Sequence, residues 1–390
     1  MTSSTTGPDR TAAVHDRRRA ATRGGLADIV GAGVLSAAGS GLDPLRGLAA
    51  PAVGALAAAP VALGGAGLGL SALPVAGFDP ATVLGGRGLS RLSRSDQLAM
   101  AACLAALDAA GAGAVGSGQT GIVLGTSVGS TGTVLAFLRD TFEQARPYLV
   151  DPAQFPSVML NSAAGRTAIR CGLTGVNATV AGGPVAGFHA VRYAGRVLRA
   201  GQARRMLAGA VEEVVPELGL AWRRGGLATG VPLAEGAAVF VLDGPDTVAG
   251  DDPLLLGRVL AAETGFVDSA RGAPAVAARL AECVRAAVSR AGITPDQVSL
   301  LAPGALGRRG WAAVEERALR EVFGARPGRL RLADRVGESL AAGVGLQLAG
   351  VLANWSGQTS ELAVLTNLGL DGSVGCLVVT RAGEFTGERK

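Results

Sequence analysis

Histidine, lysine and aromatic residues are scarce in this chain of 390 residues. It contains two histidines, one lysine (Lys390) and 4% aromatic residues. Its formal net charge of +5 therefore comes almost entirely from arginine. The arginines are spread along predicted helices, with no dense basic run and no interleaved aromatics, which argues against a nucleic-acid-binding function. They fit solvated helix faces, or a basic surface for an acidic partner protein.

Cysteine is also rare, and no pair has the spacing of a metal site. The four cysteines lie far apart and form no CxxC, so we expect neither a disulfide framework nor a bound metal, and a reducing cytoplasmic location fits. No GxGxxG opens a helix after the first strand and no GxxxxGK[ST] occurs, so no cofactor is predicted. The apolar run 48–73 is broken by Pro51, Pro60 and many glycines, so we predict no membrane span.

Short apolar runs alternate with helical patterns along the whole chain. The chain is 48% apolar with 60 glycines, which favours tightly packed α/β structure and is too long for one small core. "SRSDQLAMAACLAALDAAG" predicts a capped amphipathic helix, and "TGIVLGTSVGS" predicts a buried strand that runs into a small-residue loop. The alternation recurs later in the chain. We predict a disordered tail over 1–25 and two strand–helix halves, 26–248 and 253–383, in a duplicated, layered α/β fold.

The stretch "ATVAGGPVAGFHAV" (178–191) has the pattern with which enzymes often present a nucleophile. A β-rich approach meets a Gly-Gly turn and then a helix, whose N-terminal N–H groups and dipole would lower a thiol pKa. The presenting position, however, holds Pro184, which has no nucleophilic atom. Proline is favoured at a helix start, where its missing N–H is not needed. Pro184 therefore suits the backbone while removing the chemistry.

With its neighbours along the chain, this elbow resembles that of the β-ketoacyl synthases of the thiolase fold. Their elbow reads roughly T-V-S-T-A-C-x-x-G, and "TVAGGPVAG" puts Pro184 at the cysteine and Gly187 at the following glycine. "FPSVMLNSAAGRTAIRCGLTGVNATV", "PLAEGAAVFVL" and "ALREVFG" resemble further family segments in the same order, within residues 27–382. The resemblance implies a thiolase-like fold with α-β-α-β-α layers.

The same resemblance shows which active-site residues are missing. The H-G-T-G-T stretch of the family falls at "APGALGRRG", with Pro303 or Gly304 at the first histidine. The K-x-x-x-G-H stretch falls at "ADRVGESLAAG", with Glu338 at the second histidine and Ala333 near the lysine. Leu370 stands where a C-terminal glycine loop usually has phenylalanine.

The chemistry of the family cannot be assembled from what remains. Decarboxylative condensation there needs a thiolate for the acyl chain and two histidines that stabilise the enolate and oxyanion. His15 lies in the predicted tail, and His189 lies in the helix after the elbow. We therefore predict no catalytic residues and interpret Pro184, Pro303 and Glu338 as degenerate positions.

Two alternatives stay open at this point. The chain could be an independent acyltransferase, in which Glu338 is a general base and Ser339, Thr366 or Asn367 contacts the substrate. It could also be a homodimeric protein that binds acyl chains without reacting.

Ketosynthase-like chains without the cysteine occur as the chain-length factor, or KSβ subunit, of type II polyketide synthases. The resemblance implies that such a subunit pairs with an active ketosynthase (KSα) as a heterodimer, which works with an acyl carrier protein. It also implies that the subunit walls the tunnel for the growing polyketide chain and sets its length. Factors of aromatic systems usually carry a glutamine at the elbow. Pro184 replaces that glutamine here, and the sequence resembles more closely the factors of systems that make reduced or polyene chains.

The resemblance also assigns the tunnel wall and the subunit interface. The tunnel wall is the stretch "VGSTGTVLAF" (128–137), although a packed glycine-rich loop without ligand contact explains it equally well. The predicted tunnel residues are Gly129, Ser130, Thr131, Gly132 and Thr133, which leave room, with Val134 and Phe137 as the floor. The predicted interface residues are Phe155 and Met159 as apolar anchors, Thr179 and Val180 before the elbow, and His189.

Overall fold

The computed structural model describes residues 25–48, 56–64, 69–111, 119–245, 247–249, 252–355 and 361–381. The predicted tail over 1–25 lies outside these ranges except for Gly25, and so does His15. None of the helices in these ranges is long and apolar enough to cross a bilayer. The same ranges hold no group of three or more His, Cys, Asp or Glu side chains placed to bind a metal ion.

The described residues alternate between strands and helices, as the sequence predicts. The strands are β1 (Ala27–Ser36), β2 (Gly39–Ser40), β3 (Val61–Leu63), β4 (Leu70–Leu73), β5 (Thr120–Thr126), β6 (Asn177–Ala181), β7 (Arg205–Glu212), β8 (Leu233–Ala234), β9 (Gly236–Asp243), β10 (Gly257–Phe266), β11 (Leu300–Pro303), β12 (Gly328–Arg329), β13 (Leu362–Leu368) and β14 (Ser373–Arg381). The α-helices are α1 (Pro80–Leu84), α2 (Arg94–Ala109), α3 (Thr131–Glu143), α4 (Phe155–Val158), α5 (Ser162–Cys171), α6 (Ala186–Arg199), α7 (Pro216–Arg224), α8 (Ala273–Arg290), α9 (Trp311–Phe323), α10 (Ala333–Val336) and α11 (Leu340–Ala353).

Eleven of these strands form one sheet that repeats the same strand order on its two sides. The order is β12-β11-β13-β14-β10-β1-β9-β7-β5-β6, with β2 paired on β1. On the first side β6, β5 and β7 are parallel and β9 and β1 antiparallel. On the second side β12, β11 and β13 are parallel and β14 and β10 antiparallel. We call these strands the N-terminal and C-terminal sheet halves, which meet where Ala27 pairs with Val259.

Helices cover both faces of each sheet half. Helix α2 packs on β1 and β9 of the N-terminal half, and α8 packs on β10 and β14 of the C-terminal half. Helices α6 and α11 contact each other and strands from both halves, so they form the middle layer. The sequence of α11, "LAAGVGLQLAGVLA", is apolar on nearly every side, as expected for a helix surrounded by protein. The predicted α-β-α-β-α thiolase-like fold is confirmed, while the limits 26–248 and 253–383 stay a prediction.

The two inner helices begin close together, and this fixes the place of the site. Strand β6 leads into the turn Gly183–Val185 and then into α6. That turn contacts α11, β13 and β14. The elbow of the N-terminal half therefore lies against α11, β13 and β14 of the C-terminal half.

Candidate functional site

The elbow keeps the backbone geometry of a nucleophile turn. Gly183 has a φ of +55°, in the left-handed region that favours glycine, and Pro184 follows it within one 3-10 turn. The N–H of Gly182 donates to the carbonyl oxygen of Thr126 at 3.1 Å, which ties the turn to β5. Pro184 is buried. The turn is therefore intact, and the group that it presents is a closed pyrrolidine ring.

A buried ion pair occupies the region of the expected histidines. Arg308 is fully buried, and its Nε donates to Oε2 of Glu338 at 3.3 Å. Its terminal nitrogens donate to the carbonyl oxygens of Gly304 (3.2 Å) and Leu368 and to Oδ1 of Asn367. We call these five residues the Arg308 cluster. One guanidinium thus joins the loop after β11, the turn before α11 and the end of β13.

The cluster is closely packed around Gly304 and Gly307. A Cβ atom at Gly304 would lie 2.5 Å from Nδ2 of Asn367, and one at Gly307 would lie 2.4 Å from Cβ of Glu338. Both positions need glycine because of these contacts. The cavity that remains beside Glu338, Ser339 and Gly304 has a volume of about 10 Å³. A volume of this size is close to the minimum for one water molecule.

Of the other candidate substrate contacts, Thr366 is engaged with the protein itself, whereas the Ser339 hydroxyl and Nδ2 of Asn367 have no hydrogen-bond partner among the described residues. Thr366 is fully buried, and its hydroxyl donates to Oε1 of Glu315 at 2.7 Å. Glu315 also accepts from the backbone N–H groups of Gly304 (3.1 Å) and Ala305 (2.8 Å), so it fixes the loop that follows Pro303. Burial raises the pKa of Glu315, and these hydrogen bonds act in the opposite direction. Ser339 is buried as well.

Two neighbouring carboxylates at the end of β7 hold the predicted tunnel stretch in place. Oε2 of Glu212 accepts from the N–H groups of Ser127 at 3.0 Å and Ala341 at 3.3 Å. Glu213 accepts from the N–H of Gly132 at 2.8 Å and from the N–H and hydroxyl of Ser95 at 2.9 and 3.0 Å. The start of α3 is thereby tied to the starts of α11 and α2. Burial is the main cause that raises the pKa of Glu213 and raises that of Glu212 to about 7.

Because the pKa of Glu212 is raised, we expect the folded chain to lose stability as the pH rises, and we expect Glu212→Gln to remove this loss. Between its ordinary pKa of 4.5 and about 7, the folded chain keeps a proton that the unfolded chain has released, so stability falls as pH rises through this window. A shift of this size corresponds to about 3 kcal/mol above the window. We expect Glu212→Gln, whose amide oxygen can still accept both N–H groups, to exceed the wild type in unfolding free energy by about 2–3 kcal/mol near pH 8 and to match it closely near pH 5.

Urea denaturation across this range measures the difference between the two proteins. Glu217→Gln is the matched control, because the Glu217 side chain is 47% exposed and pairs with Arg139 only at 3.9 Å. Its pH profile should follow the wild type. A pH-independent difference for Glu212→Gln would contradict the prediction.

The predicted tunnel residues divide into two groups. Gly129 and Ser130 are buried, and the Ser130 hydroxyl lies 2.8 Å from that of Ser93. The remaining five are half-buried on α3, which buries none of its residues fully. Two of these five, Gly132 and Thr133, line a cavity of about 290 Å³, which we call the α3 cavity. Ala136 of the same helix also lines it. Those that do not line it are Thr131, Val134 and Phe137.

The predicted interface residues lie on or near the surface. Phe155 is 57% and Met159 47% exposed, and the Phe155 ring lies 6.3 Å from that of Phe137. Thr179 and Val180 are half-buried in β6, which pairs with β5 and with no other strand of the described ranges. His189 is half-buried on α6, and burial, then the nearby Arg192, lowers its pKa.

Further exposed apolar side chains surround the two anchors. Helix α3 contacts α4, and α4 contacts α5, so these three helices are neighbours, and Met159 and Ile169 line one common cavity. We call the following exposed residues the apolar face: Leu138, Phe142, Phe155, Met159, Leu160 and Ile169, of which Phe142 and Ile169 are each 85% exposed. Soluble monomers rarely expose large contiguous apolar patches, which mark interaction sites instead.

Sequence reasoning missed Arg308, the residue that fills the site. It lies in "LGRRG" beside Arg309, and nothing in this short run distinguishes the buried arginine from its neighbour. Its acceptors come from segments 4, 30, 59 and 60 residues away. The only local signal is the glycine on either side of the arginine pair, at Gly307 and Gly310.

Comparisons with known proteins agree with this architecture. Residues 68–244 match the N-terminal domain of β-ketoacyl synthases. The ishigamide ketosynthase/chain length factor structure is 30% identical, with a TM-score of 0.77 over 92% of this chain and 99% of that chain. A type II PKS acyl-carrier protein in complex with its ketosynthase bound to the hexaketide, at 18% identity and a TM-score of 0.74 over 92% and 99% of the chains, shares the fold.

A curated relative matches over a shorter stretch. The 3-oxoacyl-[acyl-carrier-protein] synthase 2 of Vibrio harveyi is 27% identical over 146 residues, which are 37% of this chain and 35% of that protein. The matched stretch thus spans about a third of that relative's length. The chain belongs to the β-ketoacyl synthase family. This follows from the ketosynthase/chain length factor structure, which is 30% identical over 92% of the chain, together with the matching N-terminal domain.

Proposed function

We propose that this chain is a non-catalytic ketosynthase-like subunit, a chain-length factor, of a type II polyketide synthase. The observation that carries the proposal is the loss of the catalytic groups: Pro184 stands at the nucleophile position of the elbow, and a buried ion pair between Arg308 and Glu338 stands where the second histidine was expected. Acyl transfer in this family needs a nucleophile and polar groups aimed at the developing charge. Here the elbow offers no nucleophile, and the guanidinium of Arg308 pairs with the carboxylate of Glu338.

Two features of the chain and one relative support pairing with an active ketosynthase. Strand β6 ends the sheet with one side free of pairing in the described ranges, and the apolar face lies on the helices that follow β5. The relative at 30% identity is itself described as a ketosynthase/chain length factor. The complex would receive the growing polyketide chain from an acyl carrier protein, as in the acyl-carrier protein–ketosynthase neighbour.

The four described cysteines, all buried and unpaired, fit a cytoplasmic location.

Co-expression with a cysteine-containing ketosynthase is the direct test. We expect a one-to-one complex, in which an acyl carrier protein thioester adds an acyl group to the partner alone, as read by intact-protein mass. A covalent acyl adduct on this chain would instead support the independent acyltransferase. A stable homodimer that ignores the ketosynthase would support the acyl-binding protein.

Chain length should respond to a side chain that enlarges into the α3 cavity. Ala136 lines this cavity and is exposed, so Ala136→Phe can fill it without breaking a buried contact. The main product should become shorter, with total turnover kept within about threefold, because the partner's site is untouched. Gly132 is less suited, since its Cβ would meet Val215 at 3.3 Å.

Product profiles by mass spectrometry decide this prediction. Ala200→Phe is the matched control, the same change at an exposed position after α6 and outside the cavity. An unchanged product length in Ala136→Phe, with the complex intact, would count against the tunnel assignment.

A further inference from the structure

Helix α6 carries a row of arginines on one face. Arg192, Arg196 and Arg199 follow one another at spacings of four and three residues, so they lie on the same side of the helix, which contains no acidic residue. Arg192 is half-buried, Arg196 and Arg199 are exposed, and Tyr193 beside them is 38% exposed. The row covers about 10 Å along the helix axis. The C-terminal part of α6 therefore presents a basic surface to solvent.

The end of α8 brings a fourth arginine to the same place. Nε of Arg290 lies 2.7 Å from Oε1 of Glu263, and Nη2 of Arg192 lies 3.8 Å from Oε2 of the same buried carboxylate. Burial, then the nearby Arg290, lowers the pKa of Arg199. We call the three arginines of α6 and Arg290 the arginine patch. With Glu263, its four positive charges and one negative charge leave a net charge of +3.

The electrostatics of helix ends explains only part of this arrangement. Cations are favoured in the last turn of a helix, which accounts for Arg196 and Arg199 on α6 and for Arg290 on α8. It does not account for Arg192, which lies about two turns before the end of α6, or for the meeting of two basic helix ends. Like charges at these spacings repel each other. A surface that retains this repulsion fits a partner that supplies the negative charges.

The spacing of the patch matches carboxylates on one face of a helix. Glutamates or aspartates four and three residues apart repeat along a helix as the arginines do along α6. Each guanidinium can bind such a carboxylate through two hydrogen bonds. Tyr193 adds exposed aromatic surface of the kind enriched at protein interfaces. A nucleic acid is a poorer match, because its binding proteins commonly contact about six to ten phosphates, more than the patch has cations.

The patch lies apart from the elements assigned to the ketosynthase and the growing chain. The elbow is at the start of α6, whereas the patch extends to the end of this helix, about 20 Å away along its axis. The apolar face belongs to α3, α4, α5 and the turn between the last two. We propose that the arginine patch docks a further partner protein, distinct from the ketosynthase and the acyl carrier protein, through an acidic helix of that partner.

Binding of a designed acidic helix tests this surface directly. The probe is a labelled, alanine-rich peptide whose glutamates have the spacing of the α6 arginines, and its control carries the same glutamates scattered around the helix. We expect the full-length chain to bind the one-faced peptide about tenfold more tightly at low salt, and the difference to shrink as salt screens the charges. Equal binding of both peptides, or tighter binding of a short DNA duplex, would overturn the proposal.

Charge-neutral variants locate the binding on the chain. Arg196→Gln with Arg199→Gln removes two exposed charges and keeps a donor near the carbonyl oxygen of Gly25, which accepts from Arg199 at 3.0 Å. This pair of substitutions should weaken binding of the one-faced peptide about tenfold. Arg224→Gln with Arg317→Gln is the matched control, with the same loss of charge at exposed positions on α7 and α9. Equal weakening by both pairs would reflect net charge alone and refute the inference.

Chain elongation separates this inference from the proposed function. In the heterodimer with its acyl carrier protein, Arg196→Gln/Arg199→Gln should extend chains at the wild-type rate. A loss of elongation in this variant, with the control unchanged, would mean that the patch serves the carrier protein or the ketosynthase, which overturns the inference. If no heterodimer forms even with the wild-type chain, the proposed function has failed, and the peptide titrations still decide the role of the patch.

Discussion

Replacing Arg308 by methionine is expected to lower the free energy of unfolding by about 3–5 kcal/mol, because the buried carboxylate of Glu338 loses its cation. Both side chains are almost completely buried, at 0% and 2% exposure, so water cannot take the place of the missing partner. The carbonyl oxygens of Gly304 and Leu368 lose a donor in the same step. The cost is thus the cost of uncompensated burial, which exceeds the net contribution of an ordinary hydrogen bond.

A second substitution should recover about half of this loss. In Arg308→Met/Glu338→Gln no charge remains buried, and the amide oxygen can still accept the N–H of Leu340, which lies 3.1 Å from Glu338 Oε1. Arg46→Met is the control, since its pair with Asp43 is 70% and 84% exposed and such pairs contribute about 1 kcal/mol or less. Urea denaturation of the four proteins measures the differences. A double variant as unstable as Arg308→Met, or a single variant no worse than the control, would show that the ion pair does not hold the cluster together.

The fold was predictable because its signals are local and periodic. Helix α2 begins at a Ser93 cap with Asp96 in a capping box, and the buried strand β5 runs into small residues. Both features were predicted from the sequence. The elbow at Pro184 was found for the same reason, since a strand, two glycines and a helix start lie next to each other. These features need no knowledge of distant partners.

The filling of the site was not predictable because it depends on contacts between distant segments. Glu338 was identified as a degenerate position, but its partner Arg308 lies 30 residues earlier in an arginine pair. The α3 cavity likewise combines residues near 90, 133 and 154, which only the tertiary structure brings together. Of the predicted tunnel residues, Thr133 lines this cavity, whereas Phe137 contacts Phe155. One helix can place neighbouring residues on different surfaces, and that division is set by its tertiary contacts.

The closed site and the open surface have opposite consequences for the chain. On the proposed function the chain acts only through what it contacts, and we expect its strongest contacts where apolar side chains meet solvent. Phe155 lies on the apolar face and packs on Phe137 at a ring distance of 6.3 Å, so it is pre-oriented for a partner. Aromatic residues held in this way are typical of interface hot spots.

Phe155→Asp is therefore expected to weaken the complex with the ketosynthase about 100-fold, since it loses an apolar anchor and places a charge in a desolvated contact. Phe266→Asp is the matched control: that ring is 61% exposed, against 57% for Phe155, but it lies at the end of β10 in the other sheet half. Titration of each variant into the labelled partner gives the dissociation constants, and urea denaturation of each chain alone should show changes under about 1 kcal/mol, because neither ring is buried. Equal weakening by both variants would mean that the apolar face is not the interface, and loss from Phe266→Asp alone would move the interface to the C-terminal sheet half.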